Sequence, residues 1–120
     1  MPTQAVRFIR WDEVPQEQVN KMLSRRVVSG EREMIAQVTL KKGCVVPEHA
    51  HESEQITYVL KGALRLTIAG RDFTVRENEL LHIPSNIPHS AFAVEDCLEV
   101  DVFSPIRHDW LNKTDDYLRR

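Results

Sequence analysis

No run of apolar residues in this chain approaches the roughly 20 needed to cross a bilayer, and the longest are strand-sized. That argues against a helical membrane span. Lysine and arginine form no block, and a net charge of −2 gives no general attraction for nucleic acid or an anionic membrane. There is no helix-turn-helix segment and no basic recognition helix, so a self-contained nucleic-acid-binding regulator is not expected. The opening residues, MPTQAVRFIRWDEV, lack a basic region followed by an apolar core and a small-residue cleavage site. No secretion signal is expected from them. Cysteine is scarce: Cys44 and Cys97 stand far apart and outside any CxxC. Both are expected to be reduced packing residues of a cytoplasmic protein.

What is present is one domain's worth of ordinary globular sequence. The 120 residues, 28% of them charged, can bury a real core, and a single domain over 1–120 with its core at about 33–104 is expected. Within EMIAQVTL, Met34, Ala36, Val38 and Leu40 share one parity, the period of two of a strand with one buried face. Ser29-Gly30 predicts a hairpin turn back to residues 25–28. Further strands are predicted at 56–60, 63–69, 80–84, 89–94 and 97–103, with Lys61-Gly62 and Ala69-Gly70 as turns. Many short strands at this spacing predict an all-β sandwich or closed barrel. Residues 12–23 predict a short helix or irregular arm broken by Pro15, and 109–120 one or two helical turns.

The chemistry concentrates in GCVVPEHAHESEQITYVLKG, residues 43–62. Two histidines at i and i+2 on an extended strand point to one face, so His49 and His51 can share an ion. Gln55 lies too far along a continuous strand, about 13 Å, to join them. The chain must therefore turn within Glu52-Ser53-Glu54 and bring Gln55 back on a neighbouring strand. His89, following Pro84-Ser-Asn-Ile-Pro, supplies the fourth expected ligand. His82 and His108 fit no ligand spacing and are expected at the surface or in hydrogen bonds.

Gly43-x5-His49-x-His51-x3-Gln55-x6-Gly62 resembles the first motif of the cupins, and Pro84-x-Asn86-x2-His89 resembles the second. The resemblance covers roughly residues 34–103. It implies a double-stranded β-helix, or jelly-roll, barrel with short N- and C-terminal extensions. Asn78 and Asn86 stand where that second motif has glycine, and asparagine is the side chain that best tolerates the left-handed conformation. Ala93 stands where the motif often ends in asparagine. Gln55 stands where most cupins carry glutamate, and this changes the chemistry. Three neutral imidazoles and an amide leave the charge of a divalent ion uncompensated, so its open positions should attract anionic oxygen. Nickel, zinc, manganese and iron all suit these ligands.

In CLEVDVFSPIR, Val100 and Val102 share one face of a strand while Glu99, Asp101 and Phe103 share the other. Periodicity leaves open which face is buried. Asp101-Val-Phe103-Ser-Pro-x-Arg107, together with the His-His-Gln-His set, resembles the small cupins of pectin and alginate breakdown. Those proteins linearise 4,5-unsaturated monouronates to 5-keto-4-deoxyuronate. The resemblance implies that Asp101, Phe103 and Arg107 line an active site for a small anionic sugar acid. Asp101 would move protons, Phe103 would form an apolar wall, and Arg107 would pair with the substrate carboxylate. Two other readings share the ligands: an iron-dependent cupin dioxygenase and a non-catalytic sugar- or metabolite-binding cupin. A homodimer is expected, built on the strand-like arm Ala5–Trp11 and the strands at 25–40.

Overall fold

The computed structural model describes residues 5–119. Residues 1–4 and 120, the outermost of the expected domain, lie outside the described residues. Among the described residues the chain forms ten strands: β1 (Glu17–Gln18), β2 (Leu23–Ser29), β3 (Met34–Leu40), β4 (Val45–His49), β5 (Glu54–Lys61), β6 (Ala63–Ile68), β7 (Arg71–Arg76), β8 (Leu80–Ile83), β9 (His89–Ala93) and β10 (Cys97–Ser104). They make two antiparallel sheets, one ordered β1-β2-β3-β10-β5-β8 and the other β4-β9-β6-β7. The inner faces of the two sheets enclose the core, as in a jelly-roll barrel.

The period-two pattern of β3 is realised, with Met34, Ala36, Val38 and Leu40 all buried. Facing them across the barrel are Leu64 and Leu66 of β6, Val75 of β7 and Ala93 of β9. The β2–β3 hairpin closes through Gly30 N–H to the Glu33 carbonyl, as the Ser29-Gly30 turn predicts. Cys44 and Cys97 are free and buried in the same core. Gly62 turns β5 into β6 with φ of +88°, and a Cβ there would lie 2.0 Å from the Asp96 carbonyl oxygen. Only glycine fits that approach. Asn78 and Asn86 have φ of 65° and 63°, so both adopt the left-handed turn that their side chains tolerate.

Of the two forms expected for the N-terminal segment, the irregular arm is the one present. Residues 12–23 hold no α-helix: a single 3-10 turn at Trp11–Glu13 leads to β1, and the strand β2 already begins at Leu23. Pro15 interrupts the segment, and backbone pairing with β3 takes its end. The arm before Trp11 is extended but forms no strand; its link to the sheet edge is Arg7 Nη2 donating to the Ser29 carbonyl. At the C-terminus the helix α1 (His108–Leu111) and a 3-10 turn at Asp116–Leu118 match the expected turns. This tail is tied down by Arg25, which is buried, bonds Asp115 at 2.7 Å and lies under the Trp110 ring.

Candidate metal centre

Three histidines from two stretches of chain meet inside one end of the barrel. Their ligating nitrogens all lie within 4.8 Å of one another. His49 ends β4 and pairs directly with His89 on β9. Between Val46 and His49 the register of β4 shifts, and the extra residue turns His49, rather than Glu48, toward the cavity. His51 is not on that strand, contrary to the expected continuous HxH strand; it lies in the loop that follows. The chain then bends through Glu52-Ser53 and enters β5 in the opposite sheet. Gln55 therefore reaches the histidines from across the barrel, not from the strand next to β4.

Each imidazole is held the same way. His49 Nδ1 lies 2.8 Å from the Pro47 carbonyl, His51 Nδ1 2.8 Å from that of Ser53, and His89 Nδ1 2.8 Å from that of Ile87. A carbonyl only accepts, so in each ring Nδ1 carries the proton and Nε2 presents a lone pair. His89 Nε2 is buried with no hydrogen-bond partner. His51 Nε2 faces Gln55 Oε1 at 3.1 Å. The amide's orientation is fixed from behind, because its Nε2 donates to Thr57 Oγ1 at 2.8 Å and to Asp101 Oδ1 at 3.2 Å. Two acceptors thus point at each other beside an orphaned third. A cation among them satisfies all three, and this donor set suits a divalent transition metal.

Electrostatics keep the rings neutral. Burial, opposed by the Pro47 carbonyl, pushes His49 down to about 3. Burial and the Arg107 charge push His51 down to about 4, and His89 is lowered by the same two causes. Neutral imidazoles are what a metal requires.

The second wall of the cavity comes from β5 and β10. Thr57 pairs with Asp101 and Gln55 with Phe103 in the strand register, so all four project inward side by side. Thr57 Oγ1 donates to Asp101 Oδ1 at 2.7 Å, which continues the chain of bonds from Gln55. Asp101 is 4% exposed and Glu99 5%, whereas Val102 opposite them is 37% exposed. The ambiguity of β10 is thereby resolved with acids inside and valines outside. Burial raises Asp101 above the usual carboxylate range, with the Thr57 and Gln55 hydrogen bonds working against the shift.

Arg107 is buried, although it lies beyond the strand. Its Nε and Nη2 donate to Asp109 at 3.0 and 2.8 Å, and Nη2 also donates to the Tyr117 hydroxyl at 2.8 Å. Its guanidinium lies over the Phe103 and Trp110 rings. Burial opposes its charge, but Asp109 and Tyr117 leave its pKa higher than usual. Tyr117 stacks on His49 with ring centroids 4.3 Å apart. Nothing in the sequence pattern singled out Tyr117, Asp109 or Thr57; only the folding back of the tail and the β5–β10 register bring them here. His82 and His108 are exposed, and His82 pairs with Glu54, as their spacing led one to expect. The cavity is small, about 50 Å³, and Trp110, Tyr117 and Leu118 of the tail are among the residues that line it.

A two-sheet barrel with a three-histidine cluster at one end defines the class of protein. The chain belongs to the cupin domain family, whose model matches residues 36–104. It is a small cupin resembling KdgF from Halomonas sp., to whose structure it is similar at 31% identity and a TM-score of 0.81, over 87% of this chain and 99% of that one. The Bacillus subtilis oxalate decarboxylase, described with Mn(II) centres, is similar at 25% identity and a TM-score of 0.74, over 84% of this chain and 30% of the larger one. The uncharacterized protein MJ1618 of Methanocaldococcus jannaschii is 26% identical over 72 residues, and the match spans 58% of that relative's length. The family, the histidine cluster and a manganese-bearing relative together support a divalent metal in this chain.

Proposed function

We propose that this cupin holds one divalent transition-metal ion through His49, His51, Gln55 and His89 and opens the ring of 4,5-unsaturated monouronates. The observation that carries the reading is the run of bonds from Gln55 through Thr57 to Asp101. It sets a buried acid–base group beside a metal site with no carboxylate among its ligands. The likeness to KdgF and the resemblance of residues 101–107 to the uronate-linearising cupins support the same reading. Nickel, zinc, manganese and iron remain equivalent by ligand type.

The reaction is an isomerisation. The anomeric hydroxyl loses its proton, the bond from C1 to the ring oxygen breaks to leave an aldehyde and an enolate, and the enolate takes a proton at C4 to become a ketone. No electrons enter or leave. When bound, the ion would supply Lewis acidity to oxygen ligands. Asp101 takes the proton from the anomeric hydroxyl and returns one to C4. Phe103, 1% exposed, walls the sugar face. With Nε and Nη2 committed to Asp109 and Tyr117, Arg107 meets the substrate carboxylate through Nη1.

The expected homodimer belongs to this reading as well. Val28, Ile35, Val102 and Ile56 form one row across the outer face of the six-stranded sheet. Ala5 and Ile9 of the arm line a groove with this row, and Val6 and Phe8 between them stand 99% and 89% exposed. A second copy would cover both. The free, buried cysteines accord with a cytoplasmic setting.

The test uses pectate digests taken down to unsaturated monomers. Metal-loaded protein is expected to speed the loss of their conjugated ultraviolet absorbance. No acceleration would remove the proposal, and oxygen uptake without ring opening would put a dioxygenase in its place.

A further inference from the structure

Tyr117 lines the cavity with His49, Asp101 and Arg107, and the reaction above gives its hydroxyl no task. Its ring stacks on that of His49, with centroids 4.3 Å apart and 20° between the planes. The chain holds it in place from both sides. Asp115, two residues before it, is buried and accepts from Arg25 at 2.7 Å and from Arg119 at 2.9 Å. Leu118, the next residue, is buried, and its carbonyl accepts from Asn20 Nδ2 at 2.8 Å. A side chain anchored on both flanks has little freedom left to lose when it meets a ligand.

The Tyr117 hydroxyl oxygen receives two hydrogen bonds, from Arg107 Nη2 at 2.8 Å and from Trp110 Nε1 at 3.3 Å. Guanidinium and indole groups only donate, so the direction of both bonds is fixed and both lone pairs of the phenol oxygen are engaged. Its own proton is left over. Among the described residues no acceptor bonds it, so it is offered to whatever fills the cavity. A bond received from a charged guanidinium polarises the O–H and makes it a stronger donor. Arg107 Nη1 is likewise left without a bonded partner among the described residues, since Nε and Nη2 are the atoms committed to Asp109 and Tyr117.

We propose that Tyr117 is a substrate-binding residue: its O–H and Arg107 Nη1 together grip one carboxylate of a ligand in the cavity. The segment after β10 thus supplies both halves of an anion clamp, and the Arg107–Tyr117 bond sets the two halves side by side. That the carboxylate belongs to a uronate rests on the ring-opening reading; the clamp itself does not.

Tyr117→Phe removes the hydroxyl alone and keeps the ring, its stack on His49 and the Arg107–Asp109 pair. In metal-loaded protein, the KM for unsaturated monouronates is expected to rise about 10- to 100-fold, the worth of a hydrogen bond to a charged acceptor, with kcat and metal content nearly unchanged. Galacturonate has the carboxylate but no double bond in its ring. In calorimetric titration it is expected to bind the wild-type protein and to bind Tyr117→Phe more weakly by a similar factor. An unchanged KM, a loss confined to kcat, or metal lost together with the hydroxyl would overturn the proposal. So would equal galacturonate affinities, or no galacturonate binding by the wild-type protein. If unsaturated uronates are left untouched while galacturonate binds in a Tyr117-dependent way, the functional reading fails alone and the clamp stands.

Discussion

The two walls of the site are built on different principles. On the β4–β9 side, each imidazole is anchored to a main-chain carbonyl two residues away along the chain. On the β5–β10 side, the working groups hold one another: Gln55 donates to Thr57, Thr57 to Asp101, and Gln55 to Asp101 as well. A backbone anchor survives changes in neighbouring side chains, whereas a relay of side chains is disturbed as a unit by the loss of any member. Metal retention should therefore be the sturdy property of this site and turnover the fragile one.

The sharpest way to separate the walls is Asp101→Asn. It should leave the metal content per chain unchanged while lowering kcat on unsaturated uronates by about 10²–10⁴-fold, the usual worth of a positioned acid–base group. Full turnover in this variant would strip Asp101 of its role. Gln55→Glu touches both walls at once. The new carboxylate offsets the ion's charge and removes the N–H donors to Thr57 and Asp101. Metal binding, followed by competition with a chelator, should tighten roughly tenfold or more while kcat falls. Equal affinities would mean that Gln55 does not touch the ion.

Thr57→Val is a milder break, since it removes the middle hydrogen bond but keeps the shape. A kcat several-fold lower and a stability loss of about 1–3 kcal/mol in denaturant titration are expected, because Asp101 loses a buried donor. Unchanged kcat would show that the relay is ornamental to the chemistry.

The gentlest test is acidification. Folded values of about 3 for His49 and about 4 for His51 lie below the ordinary histidine range, so in the native protein these rings take up protons late. Protons then compete with the metal only at low pH. Release followed by a metal indicator should have its midpoint below about pH 5, whereas exposed histidines would release near their ordinary value of about 6.5. The same sign makes these histidines a source of instability as the metal-free protein is acidified: the contribution is whole above about 6.5 and is lost as pH falls toward 4 and then 3. Asp101 and Glu99, raised by burial, act in the opposite sense, so metal release reports the histidines more cleanly than thermal stability does.

Much of this was legible in the residues. The alternation in β3, the turn at Ser29-Gly30 and the tolerance of Asn78 and Asn86 for left-handed backbone are local properties, and each appears where the residue types put it. So does the meeting of His49, His51 and His89, because the motif spacing encodes the turns that bring them together. The register shift in β4 was not legible. It depends on which residue of β9 faces Val46, a long-range fact without a local signal. For the same reason the crossing of Gln55 to the other sheet could not be read from its distance along the chain. In β10, periodicity left open which face is buried. The fold turns Glu99, Asp101 and Phe103 toward the site cavity and leaves the outer face partly exposed. The arm at Ala5–Trp11 has strand-like composition but pairs with no strand among the described residues, and pairing rather than composition makes a strand.

The account depends on four neutral side chains converging on one cation. Crystals of the protein loaded with manganese, measured at that element's absorption edge, address it directly. One anomalous peak is expected, about 2.0–2.2 Å from Nε2 of His49, His51 and His89 and in contact with Gln55 Oε1. A peak elsewhere, no peak at all, or a Gln55 amide rotated away from the three imidazoles would contradict it.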